Sequence, residues 1–91
     1  MIAAEDYPFV SVIIPVFNDA LRLRRCLLAL AGQRYPAGRF EAIVIDNGSS
    51  DDLIPAVDGL RFVRLGHEPR PGSYAARNAG LAMARGSTLA F

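Results

Sequence analysis

The sequence predicts an α/β fold, in which a parallel β-sheet carries helices on both of its faces. Strand-like and helix-like segments alternate along the whole chain. The first two strand-like segments are almost entirely apolar, which is typical of strands buried on both faces of a parallel sheet. Because crossovers between parallel strands are right-handed, we expect the strands, numbered in order of appearance, to stand in the order 3-2-1-4.

The first half of the chain supplies two strands and one long helix. Residues 9–16 predict the first strand, and Asn18 or Asp19 can cap the helix that follows. Apolar residues then recur at helical spacing as far as residue 31, with Cys26 expected to be a small buried hydrophobe. The second strand is predicted at residues 40–46 and runs into a turn-rich segment at residues 47–51.

The second half predicts shorter elements. Pro55 limits a helix at residues 52–57 to a turn or two, and Asp51 could cap it. Residues 60–65 alternate between apolar and polar, which favours an outer strand, and the two glycines and two prolines of residues 66–73 predict a loop. An alanine-rich helix at residues 74–84 and a fourth strand at residues 87–91 complete the pattern, so residues 1–91 are expected to form one domain or part of one.

Composition excludes several classes of function. The formal net charge of +1 is too close to neutral to predict a nucleic-acid partner. Apolar runs are far shorter than the roughly 18 residues of a membrane span, and the first residues carry no signal pattern. A single cysteine excludes an internal disulfide and favours a reducing, cytoplasmic setting.

The carboxyl ends of the strands are the expected binding site, because ligands of such sheets lie where the winding direction switches. Phe17 can offer a wall to a nucleoside, although a strand end followed by a capped helix is a common arrangement and by itself favours a purely structural turn. Asp46 can accept a hydrogen bond from a base or a ribose, or it can satisfy backbone N–H groups of its own turn. Arg77, near the start of the last helix, can reach a diphosphate, although a surface arginine would look the same. His67 is expected to be a solvated loop residue rather than a catalytic base.

Four ordered segments carry a resemblance to a known family. They are residues 12–19, residues 26–36, residues 40–51 and residues 76–80 leading to Phe91. Together they resemble the amino-terminal part of the family 2 glycosyltransferases, which have the Rossmann-like GT-A fold. The differences are mild: phenylalanine stands at position 17 where tyrosine is frequent, Asp19 where glutamate is frequent, and Asn47 where a second aspartate is frequent.

The resemblance implies a nucleotide-sugar, predicted to be a UDP-sugar, as the ligand. It places Pro15, Val16, Phe17 and Asp19 in the nucleotide pocket, implies that Asp46 recognises the base, and adds Asn47 and Arg77 to the site. The family also uses a divalent cation, Mg²⁺ or Mn²⁺, held by a DxD motif after the fourth strand. That motif would begin where this sequence stops, so no catalytic residue or metal ligand is assigned, and the 91 residues alone are expected to transfer no sugar.

Further expectations concern association and alternative functions. A fourth strand at the sheet edge would present unpaired backbone groups, which predicts either a homodimer through that strand or a disordered end of the chain. A dinucleotide-binding domain would also place an acidic residue after its second strand, but it needs a glycine-rich turn after the first, and residues 15–19 contain no glycine. A non-catalytic nucleotide-binding or dimerising module remains as the other alternative.

Overall fold

A computed structural model describes residues 3–86 and 88–90 of the chain. The predicted fourth strand includes residues 87 and 91, which lie outside the described residues. After a short 3-10 helix at Ala4–Asp6, the elements are β1 (Val10–Val16), α1 (Ala20–Ala31), β2 (Phe40–Asp46), α2 (Ile54–Val57), β3 (Val63–His67), α3 (Ser73–Met83) and β4 (Thr88–Ala90). All strand pairs are parallel, and the sheet order is β3-β2-β1-β4.

The α/β fold class predicted from the sequence is confirmed, and two buried clusters show how the sheet is covered. On one face, α1 and α2 pack through Leu23, Leu27 and Ala56 onto Ala42 and Val44 of β2. On the other face, α3 packs through Ala76 against a second cluster made of Ile13, Ile43 and Ile45. Neighbouring residues of β2 therefore point to opposite faces and are buried on both, which explains why this strand is apolar throughout.

The third strand begins and ends later than predicted. Residues 60–62 form a turn, in which the N–H of Val63 donates to the carbonyl of Leu60, and the strand then continues to His67. An alternating sequence pattern shows that a strand is present but does not fix where it pairs. In the structure, β3 pairs with β2 from Ala42–Val63 to Asp46–His67, and this pairing sets the bounds of the strand. The prediction that residues 66 and 67 belong to a loop was therefore wrong.

Two smaller expectations need correction, and one of two candidate helix caps is confirmed. Cys26 is exposed rather than buried, because it lies one position away from the buried stripe of Leu23 and Leu27. The short helix α2 starts at Ile54 behind Leu53, so Asp51 does not cap it. Asp19, not Asn18, caps α1, and its carboxylate accepts the backbone N–H of Arg22.

Strand β4 pairs with β1 through residues 88–90 and stands at an edge of the described sheet. Association of two chains through this strand stays a prediction. Among the described residues, no helix combines the length and the apolar character that crossing a membrane requires.

Candidate functional site

The first part of the site is the turn that joins β1 to α1. An open cavity of about 300 Å³ lies against this turn, and its lining includes four predicted residues, Pro15, Val16, Phe17 and Asp19. The Phe17 side chain is 64% exposed although it is a large aromatic group. An aromatic ring exposed at the mouth of a cavity is available to stack on a planar ligand.

The carboxylate of Asp46 lies at the end of the neighbouring strand. Its Oδ1 accepts the backbone N–H of Ser49 at 2.8 Å, so one oxygen already organises the turn. The side chain is 14% exposed, and the next backbone N–H, that of Asn47, donates to the carbonyl of Val16 at 2.8 Å. Asp46 is therefore a turn residue through Oδ1, while Oδ2 makes no hydrogen bond with another described residue.

Asn18 joins the two loops of the site. It adopts a left-handed backbone conformation, with φ of 52°, which asparagine tolerates better than most residues. Its backbone N–H donates to Ser49 Oγ at 2.8 Å, and its side-chain oxygen accepts the N–H of Ser50 at 2.7 Å. The sequence pattern predicted Asn18 only as a helix cap and gave no sign of this role.

Asn47 holds the loop between β3 and α3. Its Nδ2 donates to the carbonyl of Glu68 at 2.9 Å and to the carbonyl of Arg70 at 2.7 Å. Two acceptors need a group with two N–H bonds, which an amide has and a carboxylate lacks. The structure thus gives a physical reason for asparagine at the position where aspartate is frequent in the family resembled. A contact between Asn47 and a nucleotide stays a prediction.

We expect Asn47→Asp to lower the free energy of unfolding by about 1 kcal/mol, because the two hydrogen bonds are only partly shielded from water. The new carboxylate would face two carbonyl oxygens that it cannot satisfy. Urea denaturation followed by circular dichroism measures this change. Asn78→Asp is the matched control, because Asn78 is exposed on α3 and makes no side-chain hydrogen bond with the described residues. Equal stabilities of the two variants would contradict the role given to Asn47.

The same loop contains a local ion pair. The carboxylate of Glu68 is largely buried and accepts hydrogen bonds from the backbone N–H, Nε and Nη2 of Arg70, the shortest at 2.7 Å. The Arg70 side chain lowers the pKa of the Glu68 carboxyl. Together with Asn47, this pair fixes the path of the chain from β3 to α3.

Arg77 lies on α3, and its side chain is exposed. Because α3 starts just after the loop at the carboxyl end of β3, Arg77 belongs to the same end of the sheet as Asp46. The cavity beside Phe17 is lined by other residues, so the structure brings Pro15 to Asp19 together and leaves Arg77 on a separate element. Its contact with a diphosphate stays a prediction.

A larger cavity, of about 570 Å³, lies at the opposite, amino-terminal end of the strands. Its lining includes Glu41, Arg64 and Arg85, and both arginines are bonded to the Glu41 carboxylate. These three side chains are structural partners of one another within an ionic network. The chemistry predicted from the sequence lies at the other end of the sheet.

The divalent cation implied by the family resemblance can be tested against the described residues. No group of three or more His, Cys, Asp or Glu side chains among residues 3–86 and 88–90 is placed to hold a metal ion. Asp19 and Asp46 are engaged with backbone N–H groups of their own turns. The described residues therefore do not fit a metal site by themselves.

A parallel sheet with a cavity and a partly exposed carboxylate at its carboxyl end is the arrangement of an α/β ligand-binding domain. Comparison with known proteins makes the class definite: residues 11–91 match the model of the family described as glycosyl transferase family 2. The chain belongs to this family.

Individual relatives agree with that assignment. The glycosyltransferase AglE of Haloferax volcanii is 44% identical in an alignment of 91 positions, which covers 92% of this chain and 29% of that protein. Two solved structures are similar in fold. The mannosyltransferase PcManGT of Pyrobaculum calidifontis, in complex with GDP-Man and Mn²⁺, has a TM-score of 0.77 and 31% identity, over 90% of this chain and 26% of that chain. TarS 1-349 of S. aureus has a TM-score of 0.80 and 28% identity, over 88% of this chain and 25% of that chain. The chain thus spans about a third or less of the proteins that it resembles.

Proposed function

We propose that this chain binds the nucleotide of a nucleotide-sugar donor, and that the protein to which it belongs transfers the sugar to an acceptor. The observation that carries the proposal is that the Phe17 turn and the Asp46 turn follow adjacent strands at their carboxyl ends and are joined by the hydrogen bonds of Asn18 with Ser49 and Ser50. Residues 1–91 would be the nucleotide-binding part of a GT-A domain.

Within this site, the Phe17 ring would stack on the base, and Asp46 Oδ2 would accept a base N–H. The remaining predicted residues, Pro15, Val16, Asp19, Asn47 and Arg77, would line the pocket or approach the diphosphate. Uracil and guanine both carry an N–H beside a carbonyl, so a UDP-sugar is the first candidate and a GDP-sugar the second. The mannosyltransferase of similar fold was solved with GDP-Man, which supports the second.

The metal belongs to the proposal for the whole protein. A divalent cation would stabilise the negative charge that develops on the departing nucleoside diphosphate. The similar mannosyltransferase was solved with Mn²⁺. Since the described residues form no metal site, ligands for the cation would have to come from elsewhere in the protein.

The substitution Asp46→Asn tests the proposal. Asparagine can keep an oxygen for the Ser49 N–H, but it places an amide N–H₂ where the base N–H needs an acceptor. We expect the affinity for UDP or GDP to fall about 10- to 100-fold, which corresponds to about 1–3 kcal/mol. Isothermal titration, or ligand-observed NMR for weak binding, measures the affinity.

Asp58→Asn is the matched control, because Asp58 is exposed and lies away from the cavity. Unchanged nucleotide affinity in Asp46→Asn would remove Asp46 from the site. Titration with NAD separates the alternatives: binding of NAD in preference to UDP and GDP would favour a dinucleotide-binding domain. Binding of none of the three would favour a non-catalytic module.

A further inference from the structure

A row of three residues crosses the sheet at its carboxyl end. Val16 is the register partner of Asp46, and Asp46 is the register partner of His67. Side chains of register partners in a parallel sheet point to the same face. His67 is therefore a neighbour of the carboxylate that the proposed function assigns to base recognition.

The two polar groups of this row are close without being bonded. His67 Nδ1 lies 3.6 Å from Asp46 Oδ2, which is longer than a hydrogen bond. The His67 side chain is 71% exposed, and its ring makes no hydrogen bond with another described residue. Asp46 Oδ1 is engaged by the Ser49 N–H, so Oδ2 is left as an acceptor beside the exposed imidazole.

We propose that His67 is a second nucleobase-contacting residue, which donates an imidazole N–H to a carbonyl oxygen of the base beside the N–H that Asp46 accepts. The inference rests on the proposed function, because it places the base edge at Asp46. An imidazole keeps at least one N–H in both of its protonation states, so the donor is present across the physiological pH range. Uracil and guanine each offer an N–H directly beside a carbonyl oxygen, which matches an acceptor beside a donor.

The end of β3 fixes the backbone of the histidine. The N–H of Glu68, the next residue, donates to the Asp46 carbonyl at 2.9 Å, so the sheet ladder holds the main chain on both sides of this pair. Fixed polar groups bind a ligand without the cost of ordering a loop. One step further along the chain, Glu68 is turned inward to Arg70 and is not available to a ligand.

The experiment combines substitutions of His67 with altered bases. His67→Phe keeps a planar ring and removes the donor, whereas His67→Gln supplies an amide N–H₂ in its place. We expect UDP affinity to fall about 5- to 20-fold in His67→Phe, which is the range of a single lost hydrogen bond, and to recover at least in part in His67→Gln. Thermal unfolding of each variant, with and without UDP, separates a loss of binding from a loss of structure.

The ligand series shows whether the contact is with the base carbonyl. Replacement of a uracil oxygen by sulfur, in 2-thio-UDP or 4-thio-UDP, weakens an acceptor and leaves the N3–H in place. One of the two analogues should bind the wild-type protein more weakly than UDP does, and that difference should vanish in His67→Phe. If both analogues lose the same affinity in wild type and in His67→Phe, or if His67→Phe binds UDP as tightly as wild type, the inference is wrong.

Failure of the proposed function would look different. N3-methyl-UDP removes the N–H assigned to Asp46, so it should bind weakly to the wild-type protein and to both His67 variants. If N3-methyl-UDP binds as well as UDP, or if no UDP binding is detected at all, the base does not lie at Asp46. The proposed base site then fails, together with the inference that depends on it.

Discussion

Replacement of Glu41 by alanine should lower the free energy of unfolding by about 3–5 kcal/mol, the cost of breaking a buried ionic network by removing one partner. The Glu41 side chain is 1% exposed and lies on β2 next to Ser11 of β1, whose hydroxyl donates to it at 2.7 Å. Arg64 of β3 and the backbone and side chain of Arg85 donate to the same carboxylate at 2.9–3.1 Å. One carboxylate thereby joins three strands to the chain that leaves α3.

The same network makes stability depend on pH in a defined direction. Burial by itself raises the pKa of Glu41, but hydrogen bonds from the Arg85 backbone N–H, from Ser11 and from the two guanidinium groups outweigh it and lower the pKa from 4.5 to about 2. The folded state therefore binds fewer protons than the unfolded state between these values. The ionised Glu41 carboxylate therefore contributes to the free energy of unfolding in full above about pH 5, and this contribution is lost as the pH falls towards 2. Its size is about 3 kcal/mol, at about 1.4 kcal/mol for each pKa unit.

Urea denaturation between pH 7 and pH 2 measures both effects. The slope of stability against pH between 5 and 2 should be smaller in Glu41→Ala than in the wild-type protein. Glu5→Ala is the control, because Glu5 is exposed and contributes only its backbone carbonyl to a hydrogen bond with Arg39. If the free energy of unfolding of Glu41→Ala depends on pH as steeply as that of the wild-type protein, other carboxylates cause the loss of stability in acid.

Gly80→Ala should be the second strongly destabilising change, by about 2–3 kcal/mol. Gly80 lies in the buried face of α3, and a Cβ atom placed on it would approach Ile13 Cγ2 to 2.4 Å. Ile13 is fully buried between the sheet and the helix, so α3 would have to move away from β1. The higher helix propensity of alanine, about 1 kcal/mol relative to glycine, offsets only part of this cost.

Two comparisons isolate the steric cause. Gly32→Ala should change stability by less than about 0.5 kcal/mol, because Gly32 has an ordinary φ of −87° and its added Cβ would lie 3.6 Å from the nearest atom. In a double-mutant cycle, Ile13→Ala should be less costly in the Gly80→Ala background than in the wild-type protein, since the smaller side chain makes room for the new methyl group. Additive effects of the two substitutions would mean that they do not share a contact.

Much of the fold could be predicted because hydrophobic burial leaves a local pattern. The doubly buried strand β2 was predicted with its observed bounds, and β1 and α3 to within one residue at each end. The third strand was placed too early, since an outer strand is only partly buried and its apolar pattern extends into the turn at residues 60–62. Prediction of His67 as a loop residue followed from that displacement.

The sequence by itself determined the α/β class, the family and the end of the sheet at which Pro15 to Asp19 and Asp46 meet. Only the tertiary structure decided the polar partnerships: Glu41 with Arg85, Asn47 with the Glu68 and Arg70 carbonyls, and His67 beside Asp46. Apolar periodicity reports which face of an element is buried, and it is read from neighbouring residues. A polar partnership joins residues 21 to 44 positions apart and depends on strand register, which is fixed only when the strands pair.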